Sequence, residues 1–188
     1  MGLSVGEIAK TPDKEREKYT VAESEIPEVE EYHVYIDYES ETAAVAVETE
    51  VYSTNLVSEN FLKILQSTAA KNIYDVKLAH KFYLSRGIEI KNADFDPTLA
   101  GYLLSPAASG YDLDRLAGEY SVAVPEIDTD SELLKKAALL RETSLVLKEE
   151  IEAEVSEEIS EVPEEVIPEE VEPEKKGYLV VIDAGHQQ

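Results

Sequence analysis

The chain has 188 residues, room for one ordinary domain plus tails. It lacks cysteine, which excludes disulfides and cysteine-based metal sites, and its formal net charge is −24. Such a charge argues against tight autonomous DNA binding, because that affinity comes largely from lysine and arginine neutralising phosphates.

The acidity is uneven. Residues 149–176 contain thirteen Glu and two Lys, and residues 1–148 still carry about −12. Residues 1–18 are polar and read as a loose N-terminal segment without an apolar run long enough for a secretory signal. No stretch of eighteen consecutive apolar residues occurs, so the expectation is a soluble, cytoplasmic monomer with no membrane partner.

A folded domain is expected over residues 19–154. Tyr19-Thr20-Val21 suits a short strand. Tyr32 to Glu39 alternates as a strand does, with Tyr32, Val34, Ile36 and Tyr38 on one side and His33, Tyr35, Asp37 and Glu39 on the other. A turn at Ser40 to Thr42 leads into Ala43 to Val47, an antiparallel partner. Ser58 can cap a helix carrying Phe61, Leu62 and Leu65. Strands followed by helices predict an α/β sandwich.

The next helix places Val76, Ala79, Phe82 and Tyr83 on one face, and Gly87 supplies a left-handed stop. A short strand is expected at Ile88 to Ile90. Asp96-Pro97 opens another helix, with the carboxylate capping free N–H groups and proline where no N–H is missed. That helix carries Leu99, Tyr102, Leu103 and Leu104, and Ser105-Pro106 ends it. Asp112 caps a further short helix that buries Leu113, Leu116 and Ala117. Ser131 opens the longest helix, expected over 131–154, with its stripe at Leu133, Leu134, Ala137, Leu140 and Leu147. Its acidic last turns oppose the helix dipole and should fray.

Pro163, Pro168 and Pro173 then recur in a Glu-Val background, so residues 155–176 read as a disordered acidic spacer. Residues 177–188 begin as a buried-type strand, GYLVVIDAGH. This end resembles the first strand of zinc-dependent N-acetylmuramoyl-L-alanine amidases. There the histidine of an Asp-x-Gly-His motif, here His186, is a metal ligand; one histidine cannot hold a catalytic zinc, which needs about three protein ligands.

Several motifs occur in a set order: Gly87-Ile88-Glu89, Phe95-Asp96, Leu99, Tyr102-Leu103-Leu104, Pro106, and Tyr111-Asp112-Leu113-Asp114 with Leu116-Ala117. This order resembles the 3′ to 5′ exonuclease-like domain of bacterial DNA polymerase I, family A. The resemblance implies an α/β, ribonuclease-H-like mixed sheet flanked by helices. It also implies a polymerase domain as partner in the parent protein, with roles in DNA replication and repair.

Active members of that family hold two divalent metals, Mg2+ or Mn2+, with four carboxylates. The first pair comes as Asp-x-Glu, matched by Asp37 and Glu39, which the strand period would put on one face. These read equally well as two solvent-facing acids. The third acid belongs in an Asn/Asp-x-Lys-x-Asp pattern; the chain has Asp75-Val76-Lys77-Leu78-Ala79, with Ala79 at the acid's position. The fourth belongs to a Tyr-x-x-x-Asp motif opening the long helix, which lacks that tyrosine although Asp128, Asp130 and Glu132 are near.

A domain without nuclease activity or cofactor is therefore expected, with metal only if activity is retained. Lys77, Lys81, Arg86 and Lys91 can touch a phosphate backbone or form the solvated face of one helix and its loop. His33 and His80 have no catalytic arrangement around them in sequence. The alternatives are an accessory and spacer region of a cell-wall amidase, or an acidic interaction module.

Overall fold

The computed structural model describes residues 16–161. Its strands are β1 (Lys18–Val21), β2 (Glu31–Asp37), β3 (Thr42–Val47), β4 (Glu50–Asn55), β5 (Ala70–Ile73), β6 (Ala93–Phe95) and β7 (Glu126–Ile127). Its helices are α1 (Glu59–Gln66), α2 (Val76–Leu84), α3 (Pro97–Leu104), α4 (Leu113–Glu119) and α5 (Glu132–Glu161). Among the described residues the strands form one sheet in the order β6-β5-β2-β3-β4-β1-β7. β2, β3 and β4 make an antiparallel meander, whereas β5 joins β2, β6 joins β5, β1 joins β4 and β7 joins β1 in parallel. The sheet is mixed, as expected.

Alternation along β2 decides which helices cover which face. Tyr32, Val34 and Ile36 enter a cluster with Phe61, Ile64 and Leu65 of α1 and Ala79 and Tyr83 of α2. Tyr35 points the other way, toward α5 and α4. In β3 the same period puts Ala43, Val45 and Val47 with α1 and α2, and Ala44 and Ala46 against Ala137 and Ala138 of α5. Alanine on both sides lets the long helix lie close on the sheet. β2 is thus an interior strand paired with Ala43 to Ala46, in the predicted partnership.

The caps form as the sequence indicates. Ser58 accepts from the Phe61 N–H, Asp96 from Thr98 and Asp112 from Arg115, with Pro97 in the first turn of α3. Gly87 takes φ +74°.

Three expectations are corrected. Ile88 to Ile90 is not a strand. The Ile88 N–H bonds back to the Tyr83 carbonyl, closing α2, and Ile90 is buried in the α1–α2 cluster. The edge strand comes later, at β6, after Asn92 turns the chain with φ +50°. Secondly, β2 stops at Asp37, so Glu39 lies in the turn and not in the strand. Thirdly, α5 runs to Glu161, past the Glu154 at which the sequence closed it. Its added turns contain no proline, the first being Pro163, and intrahelical bonding outweighs the dipole penalty of the glutamates. The remainder of the expected spacer, 162–176, the segment 177–188 with His186, and residues 1–15 lie outside the described residues.

Candidate functional site

The sequence-predicted acids belong at the end of the sheet where β2 and β5 finish. Asp37 is there, but its carboxylate is committed to the β2–β3 turn. Oδ1 accepts from the Glu39 N–H at 3.0 Å and the Ser40 N–H at 3.4 Å, and Oδ2 accepts from Ser40 Oγ at 2.7 Å. These bonds, that from the Ser40 hydroxyl foremost, hold the Asp37 carboxyl below the usual aspartate range. Ser40 Oγ lies 2.6 Å from Thr42 Oγ1, which ties the turn to β3. Glu39 is exposed. The two acids therefore do not share one strand face.

Ala79 is 0% exposed and packs into the apolar cluster under β2. Asp75, at the start of the same motif, is the acid of this segment whose charge reaches the β2 turn, raising the Tyr38 hydroxyl pKa as a second cause after burial. Asp75 adopts φ 55° and caps α2 by accepting from the Leu78 N–H at 3.0 Å. Position alone could have found it, since it is the residue before the helix; its left-handed conformation has no sequence signal apart from the tolerance of aspartate for that region.

The acids expected near the start of α5 form no group with Asp37 that could hold a metal among the described residues. Asp128 and Asp130 are exposed ahead of the helix, and Glu132, in its first turn, pairs with Lys135 at 2.8 Å. On the α5 side of β2, Tyr35 stacks on Tyr74 with centroids 5.3 Å apart. Lys136 of α5 is ion-paired with Asp114 of α4, and both charges act on the Tyr35 hydroxyl, whose pKa burial raises. Among the described residues, no group of three or more His, Cys, Asp or Glu side chains is placed to hold a metal.

The basic candidates separate. Lys77 and Lys81 lie one turn apart on α2 and are exposed. Arg86 stacks over Phe82 at 3.6 Å and donates to the Phe82 carbonyl at 3.0 Å. With Ser40, Glu41, Asn55, Leu56 and Val57 these two line a cleft of about 290 Å3 beside the β2 turn. Lys91 is elsewhere, where β5 begins: its carbonyl accepts from Lys71 Nζ at 2.8 Å. A larger cavity of about 570 Å3, lined by Ile26, Val29, Tyr32, Asn60, Ile64 and Asn92 among others, also opens at that end and contains none of the predicted acids.

Two buried polar groups near the start of β5 were not singled out by sequence. Lys71 is 0% exposed and donates to the carbonyls of Ser67, Ala69 and Lys91 at 2.7–2.8 Å. Asn72 Nδ2 donates to Glu31 Oε1 at 2.8 Å and lies 2.9 Å from His33 Nε2, and Lys148 of α5 donates to the same Glu31 oxygen at 2.9 Å. Burial pushes His33 down to about 4, which keeps the imidazole neutral and its Nε2 free to accept. His80, by contrast, is half-exposed on α2.

A mixed sheet with helices on both faces fits the ribonuclease-H-like fold class. A profile of the family described as DNA polymerase I, ribonuclease H-like domain matches residues 29–141, and the chain belongs to that family. Comparison with curated proteins gave no match. Among solved structures, the chain is similar to the POL domain of Pol1 from M. smegmatis, in complex with DNA primer-template and dNTP. The TM-score is 0.52 and the identity 20%, over 62% of this chain and 22% of that one. At that identity the likeness shows the fold.

Proposed function

We propose that this chain is a catalytically silent exonuclease-like domain that acts as a rigid platform beside a family A polymerase domain. The observation that carries the reading is Ala79: where the family's motif has an acid, the chain places a methyl group sealed in the apolar core. Two divalent ions about 4 Å apart need several carboxylates to offset their repulsion, and a bare methyl supplies neither ligand nor charge. The use of Asp37 by the turn supports the same reading. If an ion did bind, Asp37 would be the remaining ligand of the expected first pair, with Mg2+ or Mn2+ as the metal. A monomer with weak DNA affinity fits the acidic surface.

The test is release of mononucleotides from a labelled single strand with Mg2+ or Mn2+. The expected result is no release above background. Robust digestion that disappears in Asp37→Ala would overturn the proposal.

A further inference from the structure

The cavity of about 570 Å3 opens where β2 and β5 begin, and Asp37 lies at the other end of β2, roughly 20 Å along the strand. One wall is the loop leading into β2. Its residues 26–30 read Ile-Pro-Glu-Val-Glu, apolar and acidic side chains in turn. Ile26 is buried in the α1–α2 cluster and Val29 packs against it, while Glu28 and Glu30 are exposed. The loop thus gives the cavity part of an apolar floor, completed by Tyr32 and Ile64, and an acidic rim.

Both sides of the opening are held in place. The Tyr32 hydroxyl donates to the Pro27 carbonyl at 2.9 Å and accepts from the Val29 N–H at 3.1 Å, which fixes the loop. The turn after α1 is fixed by Asn92 Nδ2, which donates to the Thr68 carbonyl at 2.9 Å, and by the Lys71 ammonium on the Ser67 and Ala69 carbonyls. A preformed concavity of this volume with an apolar floor and a few polar groups at its mouth has the character of a small-molecule pocket.

The rim selects the charge of the ligand. Among the described residues, no hydrogen bond or ion pair engages the side chain of Glu28 or Glu30. Lys63, the basic residue lining the cavity, is already paired with Glu59 at 2.7 Å, and Glu59, foremost, with Glu25 and Glu28 raises its pKa. Lys71, behind the turn, spends its three N–H groups on carbonyls. Two carboxylates without a partner therefore face the mouth, on a chain whose net charge of −24 attracts cations and repels anions.

We propose that this cavity binds a small organic monocation, with its apolar body on Ile26, Val29, Tyr32 and Ile64 and its amidinium or ammonium head toward Glu28 and Glu30. The site is separate from the acids of the nuclease motif and does not depend on whether they act.

The test uses three probes of one shape and different charge: benzamidinium, benzamide and benzoate. Each is titrated into the isotope-labelled full chain at low ionic strength while amide resonances are followed. Benzamidinium should give saturable shifts centred on residues 26–32, 60–70 and 92, and should bind about fivefold or more tighter than benzamide, with benzoate giving none. Glu28→Gln with Glu30→Gln, both at exposed positions, should abolish the preference for the cation and leave benzamide binding as it was. Thr68→Trp, also at an exposed position on the cavity wall, should weaken both probes. Equal affinity for benzamidinium and benzamide in the wild type would overturn the proposal, as would a benzamidinium affinity unchanged in the double Gln variant. So would shifts that spread over the acidic surface without saturating, which would mark benzamidinium as a general counter-ion.

Discussion

The Asp96 carboxylate caps two helices at once: Oδ2 accepts from the Val76 N–H at 2.8 Å, at the start of α2, while Oδ1 accepts from the Thr98 N–H at 2.9 Å and Thr98 Oγ1 at 2.8 Å, at the start of α3. The residue is 6% exposed, so neither helix end can turn to water if the carboxylate is lost. A cap is worth about 1 kcal/mol, and a buried N–H left without a partner costs about 1–3 kcal/mol more. Asp96→Ala should therefore lower stability by about 3 kcal/mol in urea denaturation, and Asp96→Asn, which keeps one acceptor, by less. Equal stability of wild type and Asp96→Ala would show that the bridge between the helices contributes nothing.

His33 makes the acid side of the stability profile. Its folded pKa is depressed to about 4 from 6.5, with burial the leading cause, so the unfolded chain binds the proton first as pH falls. Stability is therefore lost between about pH 6.5 and 4, by at most about 3 kcal/mol. Glu31 contributes in the same direction: burial raises its pKa, but hydrogen bonds from Asn72 and Lys148 outweigh this and lower it overall. His33→Gln, which can still accept from Asn72, should flatten the fall in this window. Denaturation midpoints of both proteins from pH 4 to 7 check it, and parallel curves would exclude His33.

Lys71 acts on the alkaline side. Burial lowers its pKa to about 8 from 10.5, so the folded chain releases the proton first as pH rises. The cost of holding the charge is present below about pH 8 and is relieved between 8 and 10.5. Its three carbonyl acceptors come from the turn after α1 and the loop before β6, so the side chain pins both to β5. Lys71→Met leaves those carbonyls unpaired and should cost about 3 kcal/mol at pH 7. The difference from wild type should widen toward pH 10, and a gap that stays constant from pH 7 to 10 would count against a titrating Lys71.

Much of the fold was legible because it rests on local chemistry. The alternation of Tyr32, Val34 and Ile36, the caps at Ser58, Asp96 and Asp112, and the stop at Gly87 are written in single side chains. β4 and β5 were not legible, because Glu50, Ser53, Thr54, Lys71 and Asn72 mask the apolar period and their places depend on partners distant in sequence. The surroundings of Asp37 were not legible. The turn at Ser40 to Thr42 was expected, but that its Ser40 and Thr42 hydroxyls take up the Asp37 carboxylate and tie it to β3 depends on side-chain geometry that sequence does not carry.

Placing an acid at position 79 tests the proposed silence of the domain with one substitution. Ala79 is 0% exposed and shares its cluster with Ile36, Phe61 and Tyr83, so Ala79→Asp would put a carboxylate into apolar packing with no donor built to receive it. Burying an unpaired charge costs several kcal/mol, and the group would raise its own pKa before accepting that cost. The variant should lose several kcal/mol at pH 7, recover part of it at pH 5 as the carboxyl protonates, and gain nothing from 5 mM Mn2+. The sign follows from the raised folded pKa: the unfolded chain ionises first as pH rises, so the penalty grows with pH. Ala79→Leu, a larger apolar control at the same position, should be destabilised with no pH dependence between 5 and 7. An Ala79→Asp protein that Mn2+ stabilises, and that then degrades single-stranded DNA, would show that position 79 faces a metal site after all.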